Sequence, residues 1–198
     1  EIYLFDKKNL KNLYQKELKF ENNSKKINLI LLSEFLEKNI FKVEKLAGNF
    51  VNKINIIIEN NSILTFDIGI KKKNYSGNIT NIYLENILTD IKDLFKENYN
   101  KYKLMHMLIN KYIIDDISYY SLADEINNDE ISLEIKLISI SNLIVSEIEY
   151  VLKKYQIQVD NYIDQKYLKD FFQDENLAIS YMAHKLKKGL NNNEIQIA

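Results

Sequence analysis

The residues best able to do acid–base or metal chemistry are few in this sequence and lie far apart. The chain has two histidines, His106 and His184, and no cysteine. A zinc site needs several His, Cys or carboxylate ligands at short spacing, and neither histidine has such ligands at helical spacing. We therefore expect no metal site. His106 stands in the largely apolar run at 103–114, so we expect it to be a packed strand residue rather than a catalytic group.

Two pairs of acidic residues, Asp115 with Asp116 and Asp129 with Glu130, are the other candidates for acid–base catalysis. Such pairs at the ends of strands and loops are usually solvated, and no neighbour in the sequence marks these as catalytic. The chain also lacks the GxSxG, GxGxxG and GxxxxGKS or GxxxxGKT motifs, and its four glycines leave little backbone able to cradle a phosphate. We therefore predict no catalytic residue, no cofactor and no enzyme activity.

The composition argues against a nucleic-acid-binding protein and against a membrane-spanning protein. All 27 basic residues are lysine and the formal net charge is -1. Without arginine the chain has no side chain that binds phosphate or guanine at two points, so we expect no nucleic-acid partner. The cluster Lys71, Lys72 and Lys73 is interpreted as a solvated turn, with contact to an anionic membrane or a phosphate as the alternative. Because 46% of the residues are hydrophobic but no apolar run approaches the roughly 20 residues of a membrane span, we expect a folded cytoplasmic protein.

Apolar periodicity predicts both strands and helices. Helices are indicated where apolar residues recur every three or four positions, and strands where they alternate or run together. Thr80 and Asn142 are good N-caps, and Gly48 is a good helix end. The predicted elements are strands at 1–5, 12–20, 53–58, 63–70, 104–114, 131–140 and 157–163, helices at 29–47, 81–95, 143–155 and 166–186, a loop at 124–128 and a loose tail at 190–198. This order predicts an α+β fold of mixed sheets with packed helices.

Several segments, taken in order, resemble the family of the bacterial cell-division protein FtsA, which is actin-like. VEKLAGNFVNKINIII, at 43–58, is similar to the helix and strand that lead into the inserted subdomain of that family. Ile79 and Thr80 match the start of a helix in that subdomain. HMLINKYIID is similar to the next strand, which has the pattern H-V-I-P-x-x-Y-x-I-D. A later segment is similar to a strand of the family that contains a V-D pair. The residues that match the last two patterns are His106, Tyr112, Ile114, Asp115, Val159 and Asp160.

The resemblance implies a partial actin-like fold. Residues 1–60 and 157–198 would be the remnant of the first actin-like subdomain, and residues 61–156 the inserted interaction subdomain of strand, helix, strand and strand. The family has phosphate loops after its first strand and after the strand that here ends near Ile163. Neither loop is present in this sequence. The resemblance therefore implies a non-catalytic adaptor or scaffold of the cell-division machinery, the divisome, that interacts through residues 63–140.

The resemblance also implies partners and a location. The expected partners are divisome proteins and further copies of the chain. The expected location is cytoplasmic, on the inner face of the cell membrane at the division site, with peripheral membrane contact through a tail outside these 198 residues.

Three other interpretations stay open: a fragment of an actin-like ATPase, the actin-like component of type IV pilus machines, and an unrelated α+β interaction module. The last is favoured if the Thr80 helix does not pack on the strand holding His106.

Overall fold

The computed structural model describes residues 1–18, 28–59, 62–73, 75, 78–121 and 125–195. Within these residues the strands are β1 Ile2–Asp6, β2 Lys11–Lys16, β3 Lys53–Ile58, β4 Leu64–Lys73, β5 Asn78–Thr80, β6 Tyr102–Ile114, β7 Ile117–Tyr119, β8 Glu125–Asn127, β9 Glu130–Ser141 and β10 Gln158–Asp164. The helices are α1 Leu29–Ala47, α2 Asn81–Asn98, α3 Asn142–Lys153, α4 Gln165–Phe172 and α5 Ile179–Lys187. The α+β class predicted from the sequence is confirmed.

The chain divides into two compact units. Unit 1 combines Glu1–Glu59 with Leu143–Leu190, and unit 2 combines Asn60–Asn142 with Asn191–Ala198. The longer part of unit 2, Asn60–Asn142, is therefore an insertion in the sequence of unit 1, and its remaining residues follow those of unit 1. The sequence-based partition placed residues 143–156 with the insertion and residues 191–198 with the first subdomain. In the structure the former belong to unit 1 and the latter to unit 2.

Over its described residues, unit 1 is built from a hairpin, a parallel strand pair and four helices. Strands β1 and β2 pair antiparallel, and β3 pairs parallel with β10. Helix α1 begins where the Asn28 side chain accepts a hydrogen bond from the backbone nitrogen of Leu31, and it ends at Gly48, whose φ of 73° suits glycine. Its inward face carries Phe35, Leu36 and Val43, at the spacing that predicted the helix.

The single helix predicted at 166–186 is wrong, because the structure has two helices there. Helix α4 ends at Gln173, which has a φ of 50°, and α5 begins at Ile179. Between them the Asp174 carboxylate accepts a hydrogen bond from the backbone nitrogen of Asn176, at 2.9 Å. Side chains such as Asp and Asn favour these local turns over helix, and that competition divides the element.

Unit 2 is an antiparallel sheet covered on one face by α2. The strand order is β4-β9-β6-β7, and β5 pairs separately with β8. The Thr80 hydroxyl accepts a hydrogen bond from the backbone nitrogen of Tyr83, so α2 begins as predicted. Helix α2 packs on β6, the strand that holds His106, and on β9. The buried cluster that joins them consists of Ile79, Ile87, Leu88, Ile91, Phe95, Met107, Ile109, Tyr112, Ile114, Ile131, Leu133, Ile135 and Leu137.

Two bulges let β6 keep one apolar face toward α2. The pairing with β9 shifts between Leu104 and His106 and again between Ile109 and Lys111. Each shift adds one residue, so the inward positions change from even to odd numbers at Met107 and back to even numbers at Tyr112. Inward and outward side chains therefore alternate within three short stretches of β6, and the alternation is not continuous along the whole strand.

Three further expectations for unit 2 are corrected. Lys71, Lys72 and Lys73 are not a turn but the end of β4, paired with β9. Part of the loop predicted at 124–128 is strand β8, while Asp124 lies outside the described residues. Asn142 is the first residue of α3, and its side-chain amide donates to the carbonyl oxygen of Asn100, at 2.8 Å. Each correction reflects pairing with residues distant in the sequence.

Candidate functional site

His106 is a buried residue of β6 with a carboxylate partner. Its side chain is 3% exposed, and its Nδ1 lies 2.7 Å from Oε1 of Glu194, whose side chain is 11% exposed. An ionised carboxylate can only accept hydrogen bonds, so Nδ1 is the donor. The contact explains why a polar ring is tolerated in this strand, because a buried polar group is stabilised when it is hydrogen-bonded.

Glu194 reaches His106 because the C-terminal segment pairs with β6. The backbone nitrogen of Ile109 donates to the oxygen of Asn193, and the nitrogen of Ile195 donates to the oxygen of Met107, both at 2.9 Å. The prediction of a loose tail is therefore wrong for residues 191–195. Successive side chains of this segment point to opposite faces, so Ile195 packs on the buried cluster while Glu194 meets His106.

The sequence did contain a signal for this pairing. Residues 194–197 alternate Glu, Ile, Gln and Ile, a pattern typical of a half-buried strand. The polar residues 191–193 before it obscured that pattern. Asn193 takes part as well: its side-chain amide donates to the carbonyl oxygen of Tyr120, at 2.7 Å.

Tyr112 and Ile114 lie in the buried cluster under α2. Their exposed fractions are 6% and 5%. The Tyr112 hydroxyl donates to Oδ1 of Asn193 at 3.5 Å, and burial raises the pKa of this tyrosine above its usual value. Both residues therefore stabilise the interior of unit 2, and neither is placed to meet a substrate.

Asp115 and Asp116 form the turn that joins β6 to β7. Ile114 pairs with Ile117, so the loop has two residues, and their φ values are 50° and 62°. Two positive φ values describe the type I′ turn of tight hairpins, in which Asp and Asn are well tolerated. Asp115 also accepts a hydrogen bond from the amide of Asn128, at 2.8 Å. The geometry accounts for this acidic pair as a turn.

Val159 and Asp160 belong to unit 1, and so the six residues matched by the resemblance do not form one site. Val159 pairs with Ile54 in the parallel ladder, and the pairing shifts at Asp160. The Asp160 carboxylate contacts the Lys187 ammonium group. These two residues stabilise the β3 and β10 pair, while the other four lie in unit 2.

Aspartate side chains bond the backbone directly after β1 and directly after β10. After β1, the Asp6 carboxylate accepts hydrogen bonds from the backbone nitrogens of Lys8 and Asn9, at 2.8 and 3.3 Å. A further bond from the Asn9 side chain contributes most to lowering the pKa of Asp6. After β10, the 5% exposed Asp164 accepts from the nitrogens of Lys166 and Tyr167, at 3.1 and 3.3 Å.

On the side away from α2, one part of the unit 2 sheet carries partly exposed polar side chains, while His106, Leu108, Ile138 and Ile140 on the same side are buried. Asp67 accepts a hydrogen bond from the amide of Asn110 at 3.2 Å, and the Lys111 ammonium group lies 3.0 Å from the Glu134 carboxylate. The bond to Glu134 raises the pKa of Lys111. We call the residues Asp67, Asn110, Lys111, Glu134 and Lys136 the polar sheet face. Its mixed charges are suited to contact with another protein.

A shallow depression of about 320 Å³ lies beside α2. It is lined by Lys72, Asp90, Asp93, Leu94 and Glu97. The Lys72 ammonium group lies 3.2 Å from the Asp90 carboxylate, so a cation and an anion of the lining already neutralise each other. The depression has the open shape of a surface contact, and small-molecule sites are usually more enclosed and more apolar.

Within the described ranges no group of three His, Cys, Asp or Glu side chains is arranged to hold a metal ion. None of the helices seen in those same ranges is both long enough and apolar enough to cross a bilayer. The chain matches no model of a known protein family, and no curated protein matches it.

Proposed function

We propose that this chain is a non-catalytic adaptor or scaffold of bacterial cell division, related to FtsA, that acts by binding other proteins through unit 2. The observation that carries the proposal is the position of the insertion. Strand β3 leads out of unit 1, and unit 2 follows in the sequence. The chain then returns through α3 to β10, which pairs parallel with β3. The insertion thus lies between β3 and α3 of a parallel strand-helix-strand crossover. This order of elements is the one that the resemblance to FtsA requires.

The two aspartates at the phosphate-loop positions support the non-catalytic part of the proposal. Loop and helix N–H groups hold a phosphate when they are free and point at the ligand. At these two turns the N–H groups of Lys8, Asn9, Lys166 and Tyr167 are bonded to carboxylates of the chain itself. A phosphate there would meet a negative charge where it needs donors.

The form of unit 2 supports the interaction part. Its sheet has one face buried against α2, and part of the other face carries the partly exposed charges of the polar sheet face on a rigid surface. Rigid elements hold interacting groups more accurately than loops do. The proposed location is the cytoplasmic face of the membrane at the division site, with divisome proteins as partners.

The proposal is tested by the position of a fluorescent fusion of the full reading frame in dividing cells. A band at mid-cell is the expected result. The variant Lys111→Glu with Lys136→Glu, which reverses two charges of the polar sheet face, is expected to lose the band because like charges across an interface weaken binding. The matched control reverses Lys38 and Lys42, two exposed residues of α1, and should keep it. Diffuse or polar fluorescence of the unaltered chain would overturn the cell-division role.

A further inference from the structure

Strand β4 is an edge strand that has a partner on one side. It pairs with β9 over all ten of its residues, from Leu64 to Lys73. Across the ranges that the structure describes, no strand is paired with its other side. Such an edge presents alternate backbone N–H and C=O groups and accepts a further strand readily. The length of β4 therefore offers a long surface for strand addition.

The side chains of β4 are complementary to those of a second β4 running in the opposite direction. On the face away from α2 the exposed residues are Thr65, Asp67, Gly69, Lys71 and Lys73. When Gly69 lies opposite Gly69 of a second copy, Asp67 of each copy lies opposite Lys71 of the other. Opposite charges directly across an antiparallel pair stabilise it.

The inward face agrees with the same register. Ile68 of each copy then lies opposite Ile70 of the other, so the two partly buried apolar rows meet. Phe66 lies opposite Lys72. The Lys72 ammonium group is paired with Asp90 in the single copy, and exchange of that exposed pair would let it contact the aromatic ring. A register centred on Asp67 places like charges together, and one centred on Ile68 places Asp67 opposite glycine. Of these three registers, the one centred on Gly69 has the most complementary pairs.

The space at the centre of this strand is open. A Cβ atom added to Gly69 would have no heavy atom within 4 Å, and its φ is not in the left-handed region. Lys71 is paired with Glu130 of its own sheet, and Asp67 with Asn110, but these contacts are exposed. Exposed pairs are worth little in water, so they do not oppose exchange for contacts across an interface.

We propose that β4 pairs antiparallel with β4 of a second copy of this chain, about a two-fold axis at Gly69, so that the two sheets become one. An isologous contact of this kind closes on itself and gives a dimer rather than a filament. The proposal extends the proposed scaffold role, and its meaning in the cell rests on that role. The pairing itself is measured with purified protein, so its failure is distinguishable from failure of the cell-division role.

The absence of cysteine from the sequence makes cross-linking a direct test. Directly opposite residues of an antiparallel pair have Cα atoms roughly 4.5–5.5 Å apart, within the range of a disulfide. The variant Gly69→Cys is therefore expected to give a disulfide-linked dimer under mild oxidation. The matched control, Thr65→Cys on the same face, lies opposite Lys73 and is expected to stay largely monomeric. The double variant Thr65→Cys with Lys73→Cys should link again.

A charge exchange gives a second, independent measurement. In sedimentation equilibrium, Asp67→Lys is expected to raise the dimer dissociation constant about tenfold or more, because it places two lysines together. The double variant Asp67→Lys with Lys71→Asp restores opposite charges and should recover dimerisation. Circular dichroism checks that each variant is folded. A monomeric unaltered chain at every soluble concentration, equal linking of Gly69→Cys and Thr65→Cys, or no recovery in the double variant would overturn the proposal.

Discussion

Buried polar side chains of the described residues all have hydrogen-bond partners in the structure. Asn39 shows the pattern: it accepts from the Tyr14 hydroxyl at 2.5 Å and donates to the carbonyl oxygen of Phe35 at 2.6 Å. Ser180 donates to Oδ1 of Asn12 at 2.7 Å. Such residues resemble catalytic groups when only the sequence is known. Their contacts here identify them as supports of the fold, since each bond offsets the desolvation of its own group.

The buried His106 ring contributes to the stability of unit 2. Replacing it with alanine removes packing and leaves the mostly buried Glu194 carboxylate without this ring nitrogen. We expect His106→Ala to lower the free energy of unfolding by about 2 kcal/mol, measured by urea denaturation. The control Lys103→Ala, an exposed residue of the same strand, should change it by less than about 0.5 kcal/mol.

A double-mutant cycle then separates the contact between His106 and Glu194 from their other contacts. The combined loss in His106→Ala with Glu194→Ala should be about 1 kcal/mol smaller than the sum of the two single losses. Strictly additive losses would mean that the tail is held by its backbone bonds and by Ile195 alone.

His184 leads to a prediction about pH. Its ring packs 5.3 Å from that of Phe5, and its pKa is lowered from the usual 6.5, first by burial and then by Lys188, Lys7 and Lys185. The folded chain therefore binds fewer protons at this group than the unfolded chain does. The stability that the neutral ring contributes is present above about pH 6.5 and is lost on acidification.

The measurement compares the unaltered chain with His184→Gln, which cannot titrate there. The free energy of unfolding from urea denaturation is obtained for each at pH 7.5 and pH 5.5. We expect the unaltered chain to lose more stability on acidification than the variant, because all other titrating groups are shared. Equal losses in the two chains would contradict the assignment.

Among the elements of unit 1, two strands end in a similar way. Both β1 and β10 end in an aspartate that bonds the N–H groups of the following turn or helix. Asp164 acts there as an N-cap of α4. An actin-like protein that binds nucleotide needs those donors for phosphate.

The corresponding prediction is that the chain does not bind ATP. Isothermal titration with magnesium and ATP at millimolar concentration should give no binding heat, because two carboxylates repel the phosphates and occupy their donors. The variant Asp6→Asn with Asp164→Asn removes both charges but keeps an acceptor oxygen at each turn. It should also remain without binding, because the backbone donors stay occupied. Saturable heat from the unaltered chain would favour an ATPase fragment instead.

At the scale of the whole molecule, the two units differ in charge as well as in topology. Unit 2 contains more acidic residues than lysines, so its formal charge is negative. Unit 1 contains more lysines than acidic residues, so its formal charge is positive. The two charges nearly cancel in the net charge of -1. Charge balance influences which partners approach a surface and how fast. The proposed partner of the β4 edge is a second copy, for which the local pattern of Asp67 and Lys71 matters more than the net charge.

Local features were predictable from the sequence because their causes are local. The helix after Thr80, the helix ended by Gly48 and the strand pattern of Ile131, Leu133, Ile135 and Leu137 depend on caps and periodicity within one segment. The burial of His106 in a strand followed from its apolar neighbours in the same way. The lack of glycine-rich phosphate motifs was also readable directly.

The partners of these segments were decided by the tertiary structure alone. Strands β3 and β10 lie about a hundred residues apart in the sequence, and Glu194 meets His106 across 88 positions. Any exposed strand edge is a chemically acceptable partner for another strand, so periodicity cannot choose among edges. The choice depends on which apolar faces can be buried together, and that is determined only when the whole chain packs.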